Sequence, residues 1–220
     1  MSKQYKTWSK AKKAKFVKIA KQPREADRFI QGNWLQDNDT EEGMHRGCFF
    51  GCMMQSEDSV LETATKEMGL PAWIVHVAER IFEGLPKAEA KEFPVQLLEA
   101  IATTTDTEQV WKDWNYTILM DEEHGQYKYC GDNQQCQDAV KQCADLFKMD
   151  NITYSAAYSA AYSADSAAYS AVDSAVYSAR SVAYSADSAD SAVDSAVDSA
   201  AYSNYQWMRD TLIRLIREKL

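Results

Sequence analysis

The chain has 220 residues, of which 45% are hydrophobic and 26% charged, and its formal net charge is −9. That length is enough to bury a core, and that composition excludes a wholly disordered or fibrous chain. Nowhere does it run to the ~18 consecutive apolar residues of a membrane span, and no apolar stretch follows the basic N-terminus as a secretory signal requires.

The net charge hides a segregation. Residues 1–30 carry ten Lys/Arg against Glu25 and Asp27, whereas residues 31–149 carry 22 acids against nine bases. A chain divided in this way can lay its basic end on its own acidic surface. Five cysteines, an odd number without the paired spacing of small secreted scaffolds, predict reduced thiols and a cytoplasmic protein.

In chain order, "SKAKKAKFVKIAKQ" predicts a Lys-rich helix with Trp8, Phe16, Ile19 and Ala20 on one side. Docking by that apolar side outweighs a nucleic-acid or anionic-membrane contact as the reading of its lysines. "PREADRFIQ" predicts a new helix with Pro23 in its first turn. A turn or one small hairpin with an acidic loop is expected over residues 31–47.

"HRGCFFGC" is the best chemical candidate. Cys48 follows a glycine and enters a helix, where the N-terminus favours a thiolate, and His45 lies three residues upstream. His45, Cys48 and Cys52 offer three metal-type ligands without the spacing of a zinc ribbon. The same string reads equally as a tight turn into a buried helix, with small Cys and Gly allowing close packing. Catalysis at Cys48 with His45, metal binding by all three, and packing all stay open.

Helices follow in "SEDSVLETATKEMG", capped at Ser56 or Asp58 and stopped at Gly69, and in "LPAWIVHVAERIFEGLP", ended by Gly84 and Pro86. His76 in the latter is a core or helix-face histidine. "FPVQLLEAI", "TDTEQVWKDWNYTILM" and "DNQQCQDAVKQCADLFKM" give three more, the second with Trp111, Trp114, Tyr116 and Ile118 as core and the third starting at Asp132. The fold class is therefore all-α. No Gly-rich phosphate loop, nucleophile elbow, HExxH or EF-hand loop is present, and no cofactor is expected.

From Tyr154 to Ser203 the chain uses little beyond Ser, Ala, Tyr, Asp and Val. Its serines recur every three or four residues, on average about 3.7, which is helical periodicity. Tyr, Asp or Arg precedes each of them. Ala and Val at that spacing, in place of Gly, Pro and Gln, argue against a disordered tail. The expectation is a helix over about 152–219, about 100 Å long if continuous. It ends in an amphipathic stretch with Trp207, Met208, Leu212, Ile213, Leu215 and Ile216 apolar. Two parts result: a helical head over 1–150 and a repeat helix over 151–220.

The candidate binding residues lie on that repeat. Tyr154, Tyr158, Tyr162 and Tyr169 supply apolar area, and Asp187, Asp190, Asp194 and Asp198 make a column of carboxylates able to imitate a phosphate backbone. The regular Ser stripe is also similar to one-helix antifreeze proteins, although bulky Tyr and charged Asp flank it here.

The order of "QGNW", "RGCFFGC", "MGLPAWIVHVAERIFEGLPKAEAKEFPVQLLEAI", the repeat and "MRDTLIRLIREK" resembles a family of uncharacterised phage and prophage proteins. The repeat is also similar to Ala-rich immunity proteins of bacterial toxin systems, with Tyr and Asp here where such repeats often carry Trp, Arg and Glu. The phage resemblance implies an accessory protein made in the cytoplasm of a bacterial host, which binds and inhibits or sequesters a host protein, including defence components. Self-association through the C-terminal helix and nucleic-acid mimicry are the other binding readings, and no membrane contact is expected. A Cys- or metal-dependent enzyme at His45, Cys48 and Cys52 is the alternative class.

Overall fold

The computed structural model describes residues 8–33, 35, 45–55, 59–149 and 190–219, with the helical backbone alone over 190–201. The described residues form eight α-helices and one 3-10 turn, without a strand. The protein is all-α. Its helices are α1 (Lys10–Glu25), α2 (Phe49–Met54), α3 (Val60–Met68), α4 (Ala72–Gly84), α5 (Lys87–Ala100), α6 (Thr107–Met120), α7 (Gln134–Leu146) and α8 (Asp190–Glu218). The 3-10 turn is Gln126–Cys130. Two compact units result, Met1–Thr107 with Met208–Leu220, and Glu108–Trp207.

In the first unit, Ser9 caps α1 by accepting the Lys12 N–H at 3.2 Å. The helix does not break at Pro23 as its sequence suggests. Pro23 is buried inside it, and α1 ends only at Ala26, just before Asp27 turns left-handed with φ 54°. Trp8, Phe16 and Ala20 are buried as the spacing predicts, and the Trp8 indole N–H donates to the Ile101 carbonyl at 3.1 Å. α1 packs on α5, which starts earlier than expected, at Lys87, and carries Pro94 within it.

The charge segregation has a partner in this contact. Lys21 pairs with Glu99 at 2.9 Å, Arg24 with Glu92 at 3.3 Å, and Lys91 of α5 reaches back to Asp27. These exposed pairs set register more than stability, since each contributes at most about 1 kcal/mol. The centre of the unit is aromatic. Phe29, Phe49, Phe50, Phe82 and Phe93 are all buried, with Phe49 and Phe50 stacked at 4.0 Å and Phe93 edge-on to Phe49 at 6.2 Å. Near α8's end, Leu212, Leu215 and Ile216 are buried, and Arg209 pairs with Glu89 and Asp210.

The hairpin expected over 31–47 falls mostly on positions outside the described residues. Beside it, Phe29 and Gly47 form an isolated parallel bridge, and the Cys48 N–H donates to the Asn33 carbonyl at 2.8 Å. Gln31 turns its side-chain amide onto the C-terminal end of α4, donating toward the carbonyls of Phe82 and Leu85, both at 2.7 Å, and Glu83 at 3.1 Å. These are among the carbonyls that a helix leaves without intrahelical donors. α3 stops at Gly69, which has the left-handed φ of 74° that glycine adopts without penalty.

The second unit has a core of Leu119, Cys130, Cys136, Val140, Cys143, Ala144 and Phe147, with Trp111 and Tyr116 against it. The cap of α7 is Asn133, whose side chain accepts the Cys136 N–H at 3.1 Å, rather than the expected Asp132. Cys130 and Cys136 are disulfide-bonded. This corrects the expectation of five reduced thiols, because only Cys48, Cys52 and Cys143 are free. Six residues of separation gave no recognisable pairing signature, and the bond joins the end of the 3-10 turn to the first turn of α7. Gly125 is a steric requirement, because a Cβ there would lie 2.5 Å from the backbone N and O of Asp121.

Candidate functional site

The sequence candidates around Cys48 are all described, and they separate. Cys48 is the N-cap of α2, with its sulfur accepting the Gly51 N–H at 3.4 Å, and it is only 1% exposed. Phe49 and Phe50, which follow it in α2, are fully buried, and the Phe49 ring meets Phe82 of α4 at 6.3 Å. Two carboxylates of α4, one helical turn apart, face the sulfur. Glu79 is 6% exposed, with Oε2 accepting the Phe50 N–H at 3.4 Å, while Glu83 is exposed and accepts the Gly32 N–H at 2.6 Å. The Cys48 sulfur and one oxygen from each carboxylate all lie within 4.8 Å of one another.

The electrostatics of this trio run against the thiolate expected from the sequence. Burial first, then the Glu79 carboxylate and its hydrogen bond with the thiol, push Cys48 far above the ordinary thiol range. The Gly51 N–H opposes this and is outweighed. Burial also raises Glu79 to about 7, against the Cys48 and Phe50 hydrogen bonds that favour its charged form, and Glu83 adds to the rise. Glu83 itself is raised by burial. At neutral pH Cys48 is thus a neutral thiol, the wrong state for a nucleophile.

Cys52 and His45 do not join this trio. The Cys52 thiol donates toward the carbonyls of Gly47 at 3.3 Å, Arg28 at 3.4 Å and His45 at 3.8 Å, and burial raises it to about 12. His45 is half-buried and contributes backbone here, its N–H donating to Gln55 Oε1 at 3.4 Å and its carbonyl facing Cys52. Among the described residues, the one set of His, Cys and acid atoms close enough for a metal ion is Cys48, Glu79 and Glu83. Glu79 and Glu83 escaped the sequence reading. Their signal was present: Glu79 stands within the apolar stripe of "WIVHVAERIFEG", beside Val75, Ala78 and Phe82. His76, in the same helix, is exposed.

Of the repeat candidates, Tyr154, Tyr158, Tyr162, Tyr169 and Asp187 lie outside the described residues. Asp190, Asp194 and Asp198 fall in α8 at successive steps of four, which puts their positions along one side of the helix at about 6 Å intervals. Further along α8, Tyr202 is 47% exposed, and the Trp207 indole stacks on His124 at 4.9 Å. Among the described residues, no helix is long and apolar enough to cross a membrane. Compared with protein-family models, curated proteins and solved structures, the chain matches none.

Proposed function

We propose that this chain acts by binding a macromolecular partner through its acidic C-terminal helix, as an accessory phage protein that inhibits or sequesters a host component. The observation that carries this reading is the register of Asp190, Asp194 and Asp198 on α8, a recurring acidic strip that suits a basic protein surface. The exposed Tyr202 adds an amphipathic ring of the kind enriched in interfaces. The buried neutral thiol of Cys48 weighs against the nucleophilic-enzyme alternative.

The test is capture of partners by the tagged full chain from nuclease-treated host lysate, followed by direct titration with the purified partner. One stoichiometric basic protein is expected, bound more weakly as salt rises and weakened when Asp190, Asp194 and Asp198 are all changed to Asn. Recovery of the bait alone, or binding indifferent to salt and to the triple substitution, overturns the reading. The same acidic register favours a second reading, mimicry of a phosphate backbone. In that case duplex DNA displaces the chain from its captured partner.

A further inference from the structure

Glu79 is the least explained charge in the first unit. It is more than nine-tenths buried, and among the described residues no Lys, Arg or His pairs with it. Glu83, one turn on, likewise has an N–H donor rather than a cation beside it. Buried acids are ordinarily balanced by a cation or a metal. Here the group that faces them is a thiol, which is itself an acid.

The arrangement around the trio bears on what would balance it. Each of the three groups is held by one backbone N–H from outside the trio: Gly51 on the Cys48 sulfur, Phe50 on Glu79 and Gly32 on Glu83. Such donors fix the orientation of ligand atoms and favour their anionic forms, as supporting groups around metal ligands do. Zinc takes sulfur at about 2.3 Å and carboxylate oxygen at about 2.0 Å, so its ligand atoms stand roughly 3–4 Å apart. Three atoms within 4.8 Å of one another approach that spacing. Glu83 is the exposed member of the three, so the site borders solvent on its side.

We propose that Cys48, Glu79 and Glu83 form a binding site for a divalent metal ion of zinc's class, with the sulfur and two carboxylates as protein ligands. A thiolate selects borderline ions such as Zn²⁺ over Mg²⁺ or Ca²⁺. Binding replaces the S–H proton of Cys48 by the metal and releases it to solvent, along with the Glu79 proton whenever that carboxyl is protonated. His45 and Cys52, the other ligand types in the "HRGCFFGC" string, stay outside the site.

The experiment titrates the metal-stripped full chain with Co²⁺, following the near-ultraviolet thiolate-to-cobalt absorption, and then displaces Co²⁺ with Zn²⁺. One ion per chain is expected, with proton release in weak buffer. Cys48→Ser abolishes the absorption, and Glu83→Gln weakens binding by roughly tenfold or more. Glu79→Gln, which removes a buried charge and so keeps the metal-free fold, also weakens it. Cys52→Ser and Cys143→Ser leave the absorption intact. A chain that takes up no stoichiometric Co²⁺ or Zn²⁺, or an absorption that survives Cys48→Ser, overturns the proposal.

Discussion

Replacing Glu79 by Gln isolates the energetic cost of one buried carboxylate. Burial raises this group from the ordinary 4.5 to about 7. The folded protein therefore holds the proton more tightly than the unfolded chain does. The stability this contributes is fully present below about pH 4.5 and is lost as pH rises through about 7. At about 1.4 kcal/mol per pH unit, the whole loss is about 3 kcal/mol, of which about 2–3 kcal/mol falls between about pH 5 and about pH 8.5. Gln keeps an oxygen for the Phe50 N–H and carries no charge at either pH, so it does not share the loss. With chelator present, urea unfolding followed by circular dichroism should show the variant gaining on the parent across this interval, and exceeding it at the alkaline end. Cys48 is still protonated there, because its own ionisation lies much higher. If the two stabilities stay parallel from pH 5 to pH 8.5, Glu79 is not the buried, uncompensated acid described above.

Trp8→Phe removes the indole N–H that donates to the Ile101 carbonyl and part of the ring stacked on Phe16 at 6.1 Å. A loss of about 1–3 kcal/mol is expected in urea unfolding, and an unchanged midpoint would show that Trp8 anchors nothing. Thiol titration tests the cysteine assignment. The folded, metal-free protein should react at none of Cys48, Cys52 and Cys143, since all three are buried. The unfolded, unreduced chain should yield three thiols and the reduced chain all five. Five thiols without reductant would remove the Cys130–Cys136 bond.

Local signals made most of the helices readable from sequence. Gly69 stops α3 because it takes a left-handed φ, and Gly84 with Pro86 ends α4 where expected. The misreadings come from tertiary context. Pro23 looked like the start of a helix, but burial of Phe16, Ala20 and Pro23 along one side carries α1 through it. Pro94 is absorbed into α5 in the same way, with Phe93, Val95, Leu97 and Leu98 buried around it. Asp132 and Asn133 are both capping residues, and only backbone geometry chooses between them. At the candidate site, Cys48 was legible because its string is local. Glu79 and Glu83 lie 31 and 35 positions further on, and nothing short of the packing of α2 on α4 brings them to the sulfur. An acid inside an apolar stripe was the available clue, and it deserves the weight usually given to a stray histidine.

The amide of Gln31 fastens the segment before α2 to the end of α4. That one group donates toward three carbonyls at the end of α4, and the following Gly32 holds Glu83. A carboxylate in place of that amide, as in Gln31→Glu, would face three carbonyls at the negative end of a helix and beside another acid. The segment that holds Glu83 would then be pushed off α4 by the exchange of one amide for an acid.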